Sequence, residues 1–119
     1  MTRTTRHRLT DVIDAIDKAN AILHGKTLTD LECEAATHFA IQMLLVIIAE
    51  AANNLPKDLL AAYPATAWSD IIGMGVRIKH HYYRVDPRIM WDAVTKDFPD
   101  LRATVTRMLV ELEKIELPA

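Results

Sequence analysis

Residues 77 to 88 form the one concentrated group of basic and aromatic side chains in the sequence. They read Arg-Ile-Lys-His-His-Tyr-Tyr-Arg-Val-Asp-Pro-Arg, with four Lys or Arg, two His and two Tyr against a single acid, Asp86. Arginine and lysine bind phosphate, tyrosine stacks on nucleic-acid bases, and histidine exchanges protons near neutral pH. This set of side chains suits a site that holds or cleaves RNA. It equally suits an ordinary helix end, where cations are favoured and two tyrosines can cover the core.

The composition limits both the fold and the class of function. The chain has 119 residues, enough for one domain, which we expect to span residues 1–119. Three glycines and five prolines are too few for the frequent turns of a β-sandwich or barrel. The formal charge is −2, from 14 Lys or Arg and 16 Asp or Glu, so the chain is not expected to coat nucleic acid. A local basic site remains compatible with that balance.

Cysteine content and hydropathy predict a cytoplasmic protein without a membrane partner. The single cysteine, Cys33, cannot form an internal disulfide, and the polar start from Thr2 to Arg8 lacks the apolar region of a signal peptide. The longest apolar run, from Met43 to Ala49, is far shorter than the ~20 residues that a spanning helix needs. We therefore expect it to belong to a buried helix.

Apolar residues recur at helical spacing along the first half of the chain, which predicts two long helices and a short one. The first covers Leu9 to His24, and Gly25 follows it as a stop. A capping box over Thr29–Glu32 opens the second, which is apolar nearly all round and ends near Ala52. Pro56 then begins a short extra helix.

The second half predicts two further helices. One runs from about Ser69 to His80, and Asp86-Pro87 opens the last helical region, with a kink or a new start at Phe98-Pro99. Short connections between four principal helices predict an all-α, antiparallel up-and-down four-helix bundle with one short extra helix.

Five short segments in this order resemble the HepT-type toxins of the HEPN superfamily. They are Arg8-Leu-Thr-Asp-Val-Ile-Asp-Ala-Ile, Ile47-Ile-Ala-Glu-Ala-Ala-Asn, Trp68-Ser-Asp-Ile-Ile-Gly-Met, His80-His-Tyr-Tyr-Arg-Val-Asp and Ile89-Met-Trp-Asp. The similarity extends from about Arg8 to Glu113. It implies a small all-helical homodimer that acts as a metal-independent endoribonuclease, the toxin of a bacterial toxin–antitoxin pair. Its implied partner is a minimal nucleotidyltransferase antitoxin.

The resemblance also implies roles for individual residues. The family signature is Arg, any four residues, His, any residue, Tyr, which puts the His on His80 and the Tyr on Tyr82. In the family the antitoxin transfers AMP to that Tyr and so blocks the nuclease. Gly75 stands where the signature has Arg, and Val76 stands where an Asn often follows. Arg77 is close by and would share a helix face with His80 or His81.

The chemistry of metal-free RNA cleavage explains what each residue would do. A base must take the proton of the ribose 2′-OH, an acid must protonate the leaving oxygen, and a cation must stabilise the charged phosphorane. We assign His80 as acid or base and Arg77 as the cation, with Lys79, His81 and Arg84 on RNA phosphates. One histidine cannot easily be both acid and base, so a two-fold dimer that brings two copies of His80 to one cleft is expected. No cofactor and no metal are expected.

A second interpretation stays open beside the toxin. A catalytically inactive HEPN module would bind RNA or a nucleotide, or serve only as the partner of a nucleotidyltransferase. Gly75 favours this alternative, because glycine offers no charge to phosphate, whereas His80 and Tyr82 favour the nuclease. We expect Gly75→Arg to raise activity and to gain about 0.5–1 kcal/mol of helix propensity.

Four further side chains have structural explanations. Glu50 is expected to be partly buried and to bind a neighbouring helix or orient the motif. Glu34 and His38, one helical turn apart, lack the further ligands of a metal site. Tyr83 is expected in the core or in an interface.

Overall fold

The computed structural model describes residues 3–116, and within them it is all-α, as the sequence predicts. A 3-10 turn at Tyr82–Arg84 follows the fifth helix, and a π-helical segment at Ala93–Asp97 joins the last two. The seven α-helices are α1 (Thr5–Leu23), α2 (Leu28–Cys33), α3 (Ala35–Asn53), α4 (Lys57–Ala61), α5 (Trp68–His81), α6 (Pro87–Asp92) and α7 (Phe98–Glu116).

The long helix α3 is at the centre of the fold. It packs against α1 on one side and α5 on the other, and α1 also packs against α7, whereas α5 and α7 make few contacts with each other. The core consists of aliphatic side chains that recur at helical spacing, among them Leu9, Ile16, Ile41, Ile48, Val105 and Met108. The predicted bundle is therefore present, with its least-packed side between α5 and α7.

The helix α3 is also long and apolar enough to cross a membrane by length and composition, and it is the one such helix in residues 3–116. Half of its most apolar window is buried inside the protein. A central core helix is expected to have this composition.

Helix α1 begins one turn earlier than the apolar spacing predicts. The Thr4 hydroxyl accepts a hydrogen bond from the His7 amide at 3.1 Å, which makes Thr4 the N-cap and adds Thr5–Arg8 to the helix. The end of α1 is as predicted, since Gly25 has a positive φ of 74°, a conformation that glycine adopts without a side-chain clash.

The predicted single second helix is two helices, and its predicted capping box is wrong. The box uses Thr27 and Asp30: the Thr27 hydroxyl accepts from the Asp30 amide, and the Asp30 carboxylate accepts from the Thr27 amide. The chain then leaves helical geometry at Glu34, with φ −93° and ψ 105°. The Glu34 carboxylate accepts hydrogen bonds from Lys26 at 2.7 Å and Thr37 at 2.8 Å, so it connects the turn before α2 to the first turn of α3. The Lys26 hydrogen bond holds the pKa of that carboxyl below its usual value.

The predicted kink at Phe98-Pro99 is confirmed as a π-helical segment. The Phe98 amide donates to the carbonyl of Ala93, five residues back instead of four. Pro99 has no amide hydrogen, and its ring would crowd the carbonyl of Thr95 in a regular helix. The wider π turn accommodates the proline. At the start of this region, the Asp86 carboxylate caps α6 by accepting from the Arg88 amide at 2.9 Å.

The two helices α1 and α7 are joined by a forked ion pair. Arg102 donates from Nε and Nη2 to the two oxygens of Asp17, at 2.8 and 3.0 Å. These hydrogen bonds hold the pKa of the Asp17 carboxyl below its usual value and raise the pKa of Arg102.

The approach of α5 to α3 depends on Gly75. This glycine is buried, and a Cβ added to it would overlap the Cβ of Ala49 and lie 3.7 Å from the Cα of Ala49. The expectation that Gly75→Arg folds with a gain in helix propensity is therefore wrong. An arginine at this position would have to push α5 away from α3.

We expect Gly75→Ala to lower the free energy of unfolding by about 1–3 kcal/mol, because the new methyl group cannot fit against Ala49. Gly73→Ala is the matched control on the same helix, since a Cβ there meets nothing within 4 Å. It should instead raise the free energy of unfolding by about 0.5–1 kcal/mol. Urea denaturation followed by circular dichroism measures both, and equal stabilities of the two variants would contradict the close approach.

Candidate active site

The predicted site residues lie at the C-terminal end of α5 and in the turn that follows. Lys79, His80 and His81 occupy the last helical turn of α5, and Tyr82–Arg84 form the 3-10 turn. All of these residues, and Arg77 before them, are exposed. The structure therefore brings the predicted residues together on one accessible end of the bundle.

Helical geometry places Arg77 and His80 on the side of α5 that faces away from α3. At 100° per residue, Arg77 is about 200° around the axis from Gly75 and His80 is about 140° from it. The side chains of Arg77 and His80 are then about 60° apart, on neighbouring turns. His81 remains in the helix and diverges from His80, as the sequence predicts.

The two tyrosines and His81 form a chain of edge-to-face ring contacts. The ring centroids of Tyr82 and Tyr83 are 5.6 Å apart, and those of His81 and Tyr83 are 6.3 Å apart. Tyr82 is 55% exposed and Tyr83 is 67% exposed. Tyr83 is therefore not a core residue of this chain, because the turn after α5 directs both rings towards solvent. Its assignment to an interface remains a prediction.

One predicted phosphate-binding residue already has an anionic partner. The ammonium group of Lys79 forms an ion pair and a hydrogen bond with the Glu50 carboxylate of α3. This contact confirms that Glu50 is partly buried and binds the neighbouring helix. Because the pair is half exposed, an RNA phosphate would compete with Glu50 for Lys79.

One residue that sequence reasoning missed, Gln42, connects this turn to α3. Gln42 is only 3% exposed, and its side-chain nitrogen lies 2.7 Å from the backbone oxygen of Tyr82. The same nitrogen lies 3.1 Å from Nε2 of His38. The sequence carried one signal for Gln42: it is a polar residue within an apolar helix. A buried amide needs hydrogen-bond partners, so such a residue is a candidate for a contact with another element.

Comparison with known proteins gives the same assignment as the motifs. A family model described as "Ribonuclease HepT-like" matches residues 12–108. The chain belongs to the HepT-like ribonuclease family. It is 30% identical over 108 residues to "Probable ribonuclease HepT" of Thermococcus cleftensis, covering 91% of this chain and 98% of that protein. It is 28% identical over 105 residues to "Putative RNase MJ0127" of Methanocaldococcus jannaschii, covering 88% and 84% of the two chains. No solved structure matches significantly.

Other titratable groups of this HepT-like chain have structural partners. The Glu34 carboxylate accepts hydrogen bonds from Lys26 and Thr37, and Nε2 of His38 lies against the Gln42 amide. Within residues 3–116, no cluster of three or more His, Cys, Asp or Glu has the spacing of a metal site.

A cleft away from the predicted site lies between α5 and α7. It has a volume of about 590 Å³, with Leu45, Met74 and Leu101 among its lining residues. None of the predicted site residues lines it. The site at the end of α5 is an open surface, which suits a polymer better than an enclosed small molecule.

Proposed function

We propose that this HepT-like protein is a metal-independent endoribonuclease, the toxin of a toxin–antitoxin pair, acting in the cytoplasm. One observation carries the proposal: His80 and Arg77 lie exposed on the same side of α5 in a chain of a ribonuclease family. The names of its relatives also describe ribonucleases. RNA is the substrate that this set of groups suits.

The proposed reaction needs a base, an acid and a cation. His80 accepts the proton of a ribose 2′-OH while the 2′-oxygen forms a bond to the adjacent phosphorus. The bond from phosphorus to the 5′-oxygen breaks, and a second His80, from another copy of the chain, donates a proton to that oxygen. The products are a 2′,3′-cyclic phosphate and a free 5′-OH. Arg77 stabilises the charge that develops on the phosphoryl oxygens.

A homodimer is supported by exposed apolar side chains on the two helices that pack together. Phe39 and Met43 are one turn apart on α3 and are 55% and 59% exposed, and Val76 on α5 is 47% exposed. Such side chains on adjoining helices are typical of an interaction surface. A second copy that covers them would bring its own α5 close to the first, which the chemistry requires.

We expect Met43→Glu to convert a dimer to a monomer at micromolar concentration, because a carboxylate would be buried in the interface. Val110→Glu is the matched control, since Val110 is 45% exposed on α7 instead. Light scattering measures the mass of both variants. A monomeric wild type would contradict the dimer, and a Met43→Glu variant that remains dimeric would contradict an interface at Met43.

For catalysis, we expect His80→Ala to reduce RNA cleavage about 10²–10⁴-fold, because the proton-transfer group is lost. Arg77→Ala should reduce it about 10²–10³-fold, because the phosphorane loses its cation. The controls are His24→Ala and Arg107→Ala, which remove an exposed His and an exposed Arg outside residues 77–88. Cleavage of a fluorescently labelled single-stranded RNA in the presence of EDTA measures all four variants.

The partner in this proposal is a nucleotidyltransferase antitoxin that modifies Tyr82. The Tyr82 hydroxyl oxygen forms a bond to the α-phosphorus of ATP, the bond to pyrophosphate breaks, and the phenolic proton passes to solvent. The bound adenylate adds bulk and negative charge beside His80, which repels RNA. The exposed ring of Tyr82 makes this attack sterically possible.

We expect Tyr82→Phe to abolish the mass increase of one adenylate after incubation with the nucleotidyltransferase and ATP, because the acceptor oxygen is gone. Tyr83→Phe is the matched control in the same turn and should be modified as the wild type is. Peptide mass spectrometry identifies the modified residue. An adenylate on Tyr83 in the wild type would contradict the assignment.

One observation favours the inactive module as a second candidate. The arginine position of the signature is filled by Gly75, which packs against Ala49 and cannot contact RNA. In that case the protein would bind RNA or a nucleotide, or act only as the partner of the nucleotidyltransferase. A wild type that binds the labelled RNA without cleaving it would support this candidate over the nuclease.

A further inference from the structure

The turn after α5 is held by one hydrogen bond from another helix. Gln42 Nε2 donates to the Tyr82 carbonyl oxygen at 2.7 Å, and 40 residues separate the two along the chain. Among the described residues, no other side chain outside α5 and the turn hydrogen-bonds to His80–Arg84. The side chains of Tyr82–Arg84 are exposed, and the next side chain packed in the core is Val85, directly after the turn.

The orientation of the Gln42 amide is determined by its two partners. The Tyr82 carbonyl can only accept, so the atom that faces it must be the NH₂ group. The same NH₂ group lies 3.1 Å from His38 Nε2, which must then accept the second N–H. A proton on His38 Nε2 would put two donors against each other.

This arrangement assigns the tautomer of His38. With Nε2 as acceptor, the proton of the neutral ring is on Nδ1, which is buried and has no hydrogen-bond partner among residues 3–116. Among the described residues, Nδ1 is unpaired in either tautomer, so it does not decide between them. The contact of Nε2 with the Gln42 amide does.

We propose that Gln42 is a positioning residue for the turn that presents Tyr82, and that His38, as the Nδ1–H tautomer, fixes the Gln42 amide. The proposal rests on AMP transfer to Tyr82. Tyr82 and Tyr83 are adjacent, exposed and in ring contact, so the side chains alone do not separate them as acceptors. The tether at the Tyr82 carbonyl fixes the backbone direction of the turn and thereby selects which hydroxyl a transferase meets.

The main test compares Gln42→Met with the wild type. Methionine has nearly the same length and volume and lacks the N–H groups, so the core remains filled. Hydrogen exchange of the peptide that covers residues 82–86 should become faster in the variant, while exchange in α1 and α7 stays unchanged. AMP transfer to Tyr82 should fall about 10–100-fold in kcat with KM for ATP unchanged, because a small misplacement of a reacting group has effects of this size. The share of adenylate on Tyr83 should rise.

The matched control is Asn54→Leu. Asn54 also donates from its side-chain amide to a backbone carbonyl, that of Glu50 at 2.8 Å, at the far end of α3. It should leave exchange over residues 82–86 and the modified residue unchanged. His38→Leu is a second variant, which keeps the Gln42 donor but frees its orientation, and its effects should be intermediate between wild type and Gln42→Met.

A spectroscopic measurement tests the tautomer independently of any enzymatic activity. In ¹⁵N–¹H spectra of the histidine rings at alkaline pH, the proton of His38 should be on Nδ1. A proton on Nε2, or unchanged exchange over residues 82–86 in Gln42→Met, would overturn the proposal. If the wild type acquires no adenylate, the proposed AMP transfer fails, and Tyr82 loses its role as acceptor. The exchange comparison would then still decide whether Gln42 holds the turn.

Discussion

The close approach of α3 and α5 determines the arrangement of the rest of the candidate site. Gly75 meets Ala49, and the absence of a side chain at Gly75 lets the two helices come together. The contact fixes the rotation of α5 about its own axis. With Gly75 and Ile78 turned inward, Arg77 and His80 must face solvent, because helical geometry leaves no other position for them. The hydrogen bond from Gln42 to the Tyr82 carbonyl then connects α3 to the turn that follows α5.

Helix α3 is apolar on nearly all sides, including one side that no other described helix covers. Its inner faces pack against α1 and α5, yet Phe39 and Met43 remain exposed on a helix with almost no charged residues. A helix that is apolar all round is normally surrounded on every side. Within residues 3–116 this side is open at Phe39 and Met43, and in the proposed dimer a second copy would cover it.

The sequence predicts the number and order of the long helices, because each needs only an apolar stripe at helical spacing. Helix ends are harder to predict from the sequence, because a single capping hydrogen bond can determine where a helix begins. Thr4 and Thr27 act as caps, whereas the predicted box at Thr29 has the right residue types in the wrong place. The break between α2 and α3 at Glu34 involves neither Gly nor Pro, so the residue types there do not predict it. The site residues of the motif are adjacent in sequence and were found together, but Gln42 is 40 residues away from its partner.

Gly75, at the position of the signature arginine, is also the residue that packs against Ala49. A side chain at position 75 would separate α3 from α5, so an arginine there is incompatible with this contact. A catalytic cation would have to come from another side of α5. Counted in one direction around α5, Val76 is about 100° from Gly75, His80 about 140° and Arg77 about 200°. A dimer that buries Val76 would therefore place His80 at the edge of its interface and Arg77 just outside it. In such a dimer, the interface would exclude water from one side of His80. On the other side, Arg77 would be free to contact an RNA phosphate.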